Sequence, residues 1–348
     1  MTRRAYLDWN ATAPLRPEAR AAMIDSMDLV GNPSAVHAEG RAARGLVERA
    51  RAQVAAALGA EGADVVFTSG ATEAAALALE GRGLHAAEIE HDAVLAWAEA
   101  TLAADAEGRV EVPEPGRATL QLANSETGVI QDLPPGLAVS DLTQAFGKIP
   151  FAFNWLGCTM GFVSAHKLGG PKGVGALVLR QGTELAARIR GGGQEMGRRS
   201  GTENVIGIAG FGAAAEAAGC DLDDGVWEGV ARIRNILEKA LAAQAAQIIF
   251  VGKGAPRLPN TSCVAAPGWK GETQVMAMDL AGFAVSAGAA CSSGKTRTGR
   301  VPLAMGLDPA TAASVLRVSI GPATTEEDVL RFAETWAKQL GKARARAA

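Results

Sequence analysis

The sequence predicts an α/β protein in which a mostly parallel sheet is covered by helices, followed by a smaller α+β domain. In the first two-thirds of the chain, short apolar runs alternate with helical patterns, as in parallel strands joined by crossover helices. After Thr202 the pattern changes to long helices with a few short strands. We therefore expect a large domain at 1–220 and a small domain at 221–348, with the N-terminal segment able to pack against the small domain.

The elements of the large domain follow from apolar spacing. Residues 38–58 have the periodicity of an amphipathic helix, and 64–68 form a buried strand pattern. A turn at 69–71 then leads to an alanine-rich helix that is predicted to begin at Thr72. Further strands are predicted at 118–123, 159–164 and 174–180.

The last third contains helical patterns and short strands. Helices are predicted at 203–218, 223–243 and 272–281, and strands at 247–251, 262–265, near Phe283 and at 316–320. A final helix is predicted to begin at 324–328, where threonines precede three acidic residues. A threonine cap and an acidic first turn both favour a helix N-terminus.

Composition argues against several classes of partner and site. The 348 residues carry a net charge of −3 and no long basic run, so neither nucleic acid nor a membrane surface is an expected partner. The four cysteines include no CxxC pair, which argues against a zinc site or a disulfide framework and fits a reducing cytoplasm. No signal peptide is predicted, and no uninterrupted apolar run is long enough to span a bilayer.

Lys167 lies in a glycine-rich turn at the end of a predicted strand. A lysine in such a place can be desolvated, which lowers its pKa and makes it a nucleophile toward a carbonyl. The alternative is a surface turn with exposed lysines. The turn at 69–72 has a similar ambiguity, because it is either a phosphate site at a helix N-terminus or an ordinary threonine cap.

Cys291 is followed closely by Lys295, Arg297 and Arg300, and positive charge favours the reactive thiolate. The alternative is a buried structural cysteine.

Arg317 lies in a strand pattern, where burial requires a partner such as a carboxylate. Asp141 could cap a helix, with Gln144 completing a capping box.

Several motifs occur in a fixed order along nearly the whole chain. Taken together they resemble the cysteine desulfurases, pyridoxal-phosphate enzymes of the class V aminotransferase family. The motifs lie at residues 6–14, 31–41, 67–73, 89–91, 164–173, 191–195, 199–204, 286–294 and 316–321. The resemblance implies the fold of the type I pyridoxal-phosphate transferases.

The resemblance also implies a role for each motif residue. Lys167 would hold pyridoxal 5′-phosphate as a Schiff base, Cys291 would become a persulfide, and His91 would stack on the cofactor and move protons. The remaining cofactor contacts would be Ala71, Thr72, Asp141, Gln144, Ser164, His166 and, from the partner subunit in a homodimer, Thr202. The substrate contacts would be Asn10, Ser125 and Arg317.

The implied reaction removes sulfur from L-cysteine, leaves alanine, and passes the sulfur to an acceptor protein for iron–sulfur cluster assembly or tRNA thiolation. Two alternatives remain. One is another enzyme of this family, such as a selenocysteine lyase or an aminotransferase, and the other is a weakly active homologue that serves as a binding partner. The chain departs from the family at Ser125, where an asparagine is usual, at Ser140, where a histidine is usual, and in two shortened segments near 79–89 and 131–141.

Overall fold

The computed structural model describes residues 3–288 and 299–347. The helices are α1 Pro17–Met27, α2 Ala38–Ala57, α3 Ala71–Leu79, α4 Asp92–Leu95, α5 Val205–Asp223, α6 Val226–Gln244, α7 Gly271–Leu280, α8 Arg300–Ala304, α9 Pro309–Ala312 and α10 Glu326–Ala347. The strands are β1 Ala5–Tyr6, β2 Asp64–Thr68, β3 His85–Ala87, β4 Glu99–Leu102, β5 Ala118–Thr119, β6 Val139–Asp141, β7 Met160–Ser164, β8 Gly175–Leu179, β9 Ile249–Phe250, β10 Thr261–Ala265, β11 Phe283–Ala284 and β12 Val315–Ser319.

The central sheet has seven strands in the order β2-β8-β7-β6-β5-β3-β4. Every neighbouring pair from β7 to β4 is parallel, while β8 runs antiparallel to both β2 and β7. Both β7 and β8 are buried along their whole length, as expected for strands covered on two faces. The predicted mostly parallel sheet covered by helices is confirmed.

The helix α5 packs against α1 and α2 beside this sheet. It is the one helix in the described part of the chain that has the length and hydropathy to cross a membrane, and half of it is buried inside the protein. Its apolar residues therefore form part of the hydrophobic core, where Phe211 packs edge-on against Phe67 and Phe146.

A second hydrophobic cluster lies in the C-terminal part of the chain. Here β12, β10 and β9 form an antiparallel sheet that packs with α6 and α10. The N-terminal residues Ala5 and Leu7 belong to this cluster, because β1 pairs with β11. The division into domains at 1–220 and 221–348 stays a prediction.

One predicted strand is shorter than expected. Of residues 118–123, only Ala118–Thr119 form a strand: both residues pair with β3, which ends at Ala87, and Thr119 also pairs with β6. Beyond this point a side chain replaces the neighbouring strand, since the Glu90 carboxylate accepts the Gln121 N–H at 2.6 Å. The final helix begins as predicted. Its cap is formed by Thr325 and Asp328: the side chain of each residue accepts the backbone N–H of the other.

Candidate active site

A cavity of about 510 Å³ lies where β6 and β7 end and α3 begins. Eleven of the residues predicted to form the site line it: Asn10, Ala71, Thr72, His91, Ser125, Asp141, Gln144, Ser164, His166, Lys167 and Arg317. Cys291 lies outside the described residues. Thr202 does not line this cavity and instead lines a smaller one with Ser69 and Arg199, so its predicted contact with a partner's phosphate stays a prediction.

Lys167 ends a short turn, Ala165–Lys167, that follows β7 directly. Its Nζ donates to the backbone carbonyls of Asn10 at 2.7 Å and Ala11 at 2.9 Å. The Lys167 side chain is half-buried, whereas that of Lys172, five residues later, is exposed. The amine of Lys167 is thus held at the cavity wall, which is the placement required of a nucleophile toward a carbonyl carbon.

The start of α3 provides a cradle for an anion. Gly70 precedes the helix with φ 155° and ψ 177°, a conformation open essentially to glycine, and the helix N-terminus faces the cavity near Ser164 and His166. Burial and the neighbouring lysines, Lys167 first among them, lower the pKa of His166 to about 4. Its Nδ1 lies 3.1 Å from the Thr12 hydroxyl. When that hydroxyl donates to Nδ1, the neutral ring carries its proton on Nε2 and can donate it to an anion.

Asp141 lies at the end of β6. No helix begins at Asp141, so the capping-box alternative is wrong: its Oδ1 accepts the Thr143 N–H at 2.8 Å in a local turn. Burial raises the pKa of the Asp141 carboxyl, while the hydrogen bond from Thr143 lowers it. Gln144 donates from Nε2 to the Asn10 carbonyl at 3.0 Å and accepts from Lys148 at 2.7 Å.

His91 precedes the short helix α4. Its Nδ1 accepts the Ala93 N–H at 3.1 Å, so in the neutral ring the proton is carried by Nε2. His91 lines the cavity together with Asp141 and Lys167. This arrangement allows the ring both to stack on a planar ligand and to exchange a proton through Nε2.

Arg317, on β12, has the carboxylate partner that its burial requires. It is 2% exposed, and it donates to Asp8 at 2.7 Å and to the Ser125 carbonyl at 3.1 Å. Its Nε has no hydrogen-bond partner among the described residues. A substrate carboxylate could therefore bind at a guanidinium that is already oriented by Asp8.

Asn10 connects the elements around the cavity. Its Nδ2 donates to the Ser125 carbonyl and the Thr261 hydroxyl, and its Oδ1 accepts from Lys148 and Asn260. These four bonds use the whole hydrogen-bonding capacity of the amide. If Asn10 also contacts substrate, as predicted, one of these bonds has to break.

Three charged residues near the site were missed in the sequence: Asp8, Glu90 and Lys148. Burial lowers the pKa of Lys148 well below its usual value, while burial and the nearby Asp141 raise the pKa of Glu90 well above its usual value. Asp8 and Glu90 lie inside the motifs at 6–14 and 89–91, and Lys148 follows Gln144 by four residues. Charged residues within otherwise apolar or small-residue motifs were the available signal.

The described cysteines differ in environment. Cys158 and Cys263 are buried, and burial raises the pKa of Cys158 to about 11 and that of Cys263 still further. Cys220, by contrast, is exposed on α5. Among the described residues, no group of three or more His, Cys, Asp or Glu side chains is placed to hold a metal ion.

The donor set around the cavity fits one kind of ligand. It offers an anion cradle at α3, a buried carboxylate at Asp141 and a primary amine at Lys167, all lining the same cavity. A planar phosphorylated aldehyde with a basic ring nitrogen would satisfy all three groups at once.

Comparisons with known proteins agree with this fit. The family model described as aminotransferase class-V matches residues 5–332. A cysteine desulfurase of Cereibacter sphaeroides is 37% identical over 95% of this chain and 94% of its own length. An IscS-like cysteine desulfurase of Mycobacterium tuberculosis is 33% identical over 98% of this chain and 97% of its own.

Solved structures give the same result at the level of the fold. A NifS-like protein from Rickettsia africae ESF-5 has a TM-score of 0.89 and 29% identity over 97% of this chain and 99% of its own. SspA in complex with cysteine has a TM-score of 0.75 and 26% identity over 92% of this chain and 100% of its own.

Proposed function

The chain belongs to the class-V aminotransferase family, and we propose that it is a cysteine desulfurase that acts on L-cysteine with pyridoxal 5′-phosphate as its cofactor. The observation that carries the proposal is the cavity in which Lys167, Asp141 and the start of α3 meet. The resemblance of the chain to SspA, whose structure contains cysteine, supports the substrate.

Each group of the cofactor has a matching residue. Lys167 would form the covalent link, Asp141 would hold the proton of the ring nitrogen, and Ala71, Thr72, Ser164 and His166 would bind the phosphate. The bound cofactor supplies an electron sink for the substrate carbons. His91 would cover the ring, and Gln144 lines the same cavity.

The protein's own residues would then orient the substrate and move its protons. Arg317, held by Asp8, would bind the substrate carboxylate, and Ser125 lies beside it. The amine of Lys167 or Nε2 of His91 would shuttle the proton of the substrate α-carbon. Cys291 as thiolate would attack the substrate sulfur: a sulfur–sulfur bond forms, the carbon–sulfur bond breaks, and its electron pair stays on carbon, which takes a proton to give alanine.

We further propose that the persulfide passes to an acceptor protein such as an iron–sulfur scaffold, and that the enzyme works as a cytoplasmic homodimer. Thiolate chemistry at Cys291 requires a reducing compartment. Neither nucleic acid nor a membrane is proposed as a direct partner, since the net charge is −3.

The assignment of Lys167 is tested with purified protein, pyridoxal 5′-phosphate and borohydride. Borohydride should fix the cofactor on the peptide that contains Lys167, and Lys167→Ala should lose both this adduct and alanine production from cysteine. Lys172→Ala, which changes the exposed lysine five residues later, is the matched control and should retain the adduct. An adduct on Lys148 or Lys172 in the unaltered protein would contradict the assignment.

The nucleophile is tested by Cys291→Ser. This variant should keep the cofactor and still bind cysteine, because Cys291 acts only at the sulfur step, while production of alanine and sulfide collapses. Cys220→Ser, which removes an exposed thiol, should leave turnover unchanged. Normal turnover in Cys291→Ser would rule out Cys291 as the persulfide carrier, and a strong preference for selenocysteine would favour the lyase alternative.

A further inference from the structure

Arg300, the first residue of α8, binds the segment that carries His91. One guanidinium nitrogen donates to the Glu88 carbonyl, and the other donates to the Glu90 carbonyl at 2.5 Å and approaches the Asp92 carboxylate at 3.4 Å. The Arg300 side chain is 19% exposed. A residue close to Cys291 in sequence thus contacts the chain on both sides of His91.

The strongest of these contacts are made to main-chain atoms. The carbonyl between them, that of Ile89, accepts from Gln121 at 3.1 Å and Asn124 at 3.0 Å. Three successive carbonyls before His91 are therefore held by side chains from other elements. The planar fork of Arg300 binds two of them through two separate nitrogens, a geometry that the single nitrogen of a lysine does not reproduce.

His91 depends on this segment for its orientation. Its Nδ1 is bound to the Ala93 N–H, and the position of the ring follows the backbone on either side. We infer that Arg300 is a positioning residue for His91: by fixing the Glu88 and Glu90 carbonyls, it holds the imidazole at the distance from the cavity at which Nε2 can exchange a proton. The inference rests on the proposed function, in which His91 moves protons.

An electrostatic role is the competing explanation. The charge of Arg300 also acts on two fully buried carboxyls, those of Glu90 and Glu126. It lowers the pKa of both, although burial raises these pKa values by more. If charge alone mattered, a lysine would serve equally well. Arg300→Met, which removes charge and fork, and Arg300→Lys, which keeps only the charge, separate the two roles.

The experiment measures turnover and His91 together. In Arg300→Met, kcat for alanine formation should fall by about tenfold to a hundredfold, because small displacements of catalytic groups have effects of this size. The KM for cysteine should change little, because Arg317 and Asp8 are untouched. Arg300→Lys should recover only a minor part of kcat, whereas full recovery would overturn the positioning role.

The second readout does not depend on activity. The chain has four histidines, so imidazole nitrogen NMR of the cofactor-free protein can be assigned with His91→Gln. The unaltered protein should show His91 with its proton on Nε2, and Arg300→Met should shift or broaden this signal. Loss of turnover with an unchanged His91 signal would overturn the inference.

Two controls complete the design. Arg344→Met removes an exposed arginine that also donates to a backbone carbonyl, that of Ala246, and should leave kcat and the His91 signal unchanged. Asp92→Asn weakens only the longest contact of Arg300 and should lower kcat by less than threefold. If the unaltered protein forms no alanine, the proposed function fails, while the NMR comparison still decides whether Arg300 positions His91.

Discussion

Glu90 is a buried acid that lies beside a carboxylate of the proposed cofactor site. One of its oxygens accepts the Gln121 N–H, and the other has no hydrogen-bond partner among the described residues. Burial and the nearby Asp141 raise the pKa of Glu90 well above its usual value. Of these two acids, we expect Glu90 to carry the proton, because Thr143, His91 and Lys167 all lower the pKa of Asp141 against the effect of burial.

We predict that Glu90→Gln stabilises the protein increasingly as the pH rises. The folded-state pKa of Glu90 lies above its unfolded-state pKa, so its stabilising contribution is complete below the unfolded value and is lost as the pH rises through the folded value. A glutamine cannot ionise and avoids this loss. Melting temperatures from pH 4.5 upward, compared with those of the exposed-site control Glu88→Gln, should diverge, and a constant difference would contradict the prediction.

Ser125 supplies a second prediction for a single residue. Its carbonyl binds Asn10 and Arg317, so its backbone is fixed while its side chain lines the cavity. Ser125→Asn should restore an amide near the substrate carboxylate and lower the KM for cysteine by about tenfold, equivalent to about 1.4 kcal/mol. Ser125→Ala is the matched control and should not lower KM. An unchanged or raised KM in Ser125→Asn would mean that the neighbouring shortened segments fit serine.

Among the secondary-structure elements, those with a complete hydrophobic pattern were predictable. Helix α2 and strand β2 occur within a residue of their predicted bounds, because their apolar periodicity matches the face that is buried. The strand predicted at 118–123 was not predictable in length, since its apolar residues are buried but its neighbour at Gln121 is the Glu90 side chain. A local pattern reports burial and carries no information about which distant group completes the hydrogen bonding.

Helix α2 is joined to β2 and to the turn Gln194–Gly197 by an ion pair. Arg51 binds both carboxylate oxygens of Glu195, at 2.7 and 3.0 Å, and the same carboxylate accepts the Phe67 N–H at 2.9 Å. Glu195 and Met196 both have positive φ, 48° and 58°, which is unfavourable for residues with side chains. The ion pair holds this turn in place.

Removing Arg51 should therefore be costly. Arg51→Met leaves the Glu195 carboxylate, 2% exposed, without its cation, and we expect a loss of about 3 kcal/mol in the free energy of unfolding. Arg49→Met changes an exposed arginine on the same helix and should cost little. Chemical denaturation gives the free energy of unfolding of both variants. Equal values for Arg51→Met and Arg49→Met would show that the ion pair contributes no more than a surface contact.

The whole molecule places the N-terminal segment at the centre of the site. β1 pairs with β11, Asp8 binds Arg317, and Asn10 contacts residues 144, 148, 260 and 261. The motif residues that line the cavity were identified in the sequence. The contacts of the N-terminal segment were not, because they join residues that are more than a hundred positions apart in the chain. Nothing in the local pattern of 5–10 indicates them, and only the fold could reveal that Asp8 orients Arg317.

Assembly is the prediction for the whole molecule. Thr202 lies outside the cavity of its own chain, so we expect two copies to complete each other's sites in a two-fold homodimer. Light scattering should give twice 35.6 kDa for the active species. Co-expressed Lys167→Ala and Thr202→Val chains should form mixed dimers with one intact site and recover activity, whereas a fully active monomer would contradict the shared-site arrangement.

The burial of Cys158 and Cys263 has a practical consequence for following sulfur through this protein. With their pKa values raised by burial, these two thiols should stay unalkylated in the native state, and Cys220 is the exposed thiol among the described residues. A Cys220→Ser protein would therefore contain one cysteine that is not known to be shielded, Cys291. In that background, a thiol-selective reagent should label one position per chain. Comparing the mass of the labelled chain before and after exposure to cysteine then counts directly the sulfur atoms bound at that position.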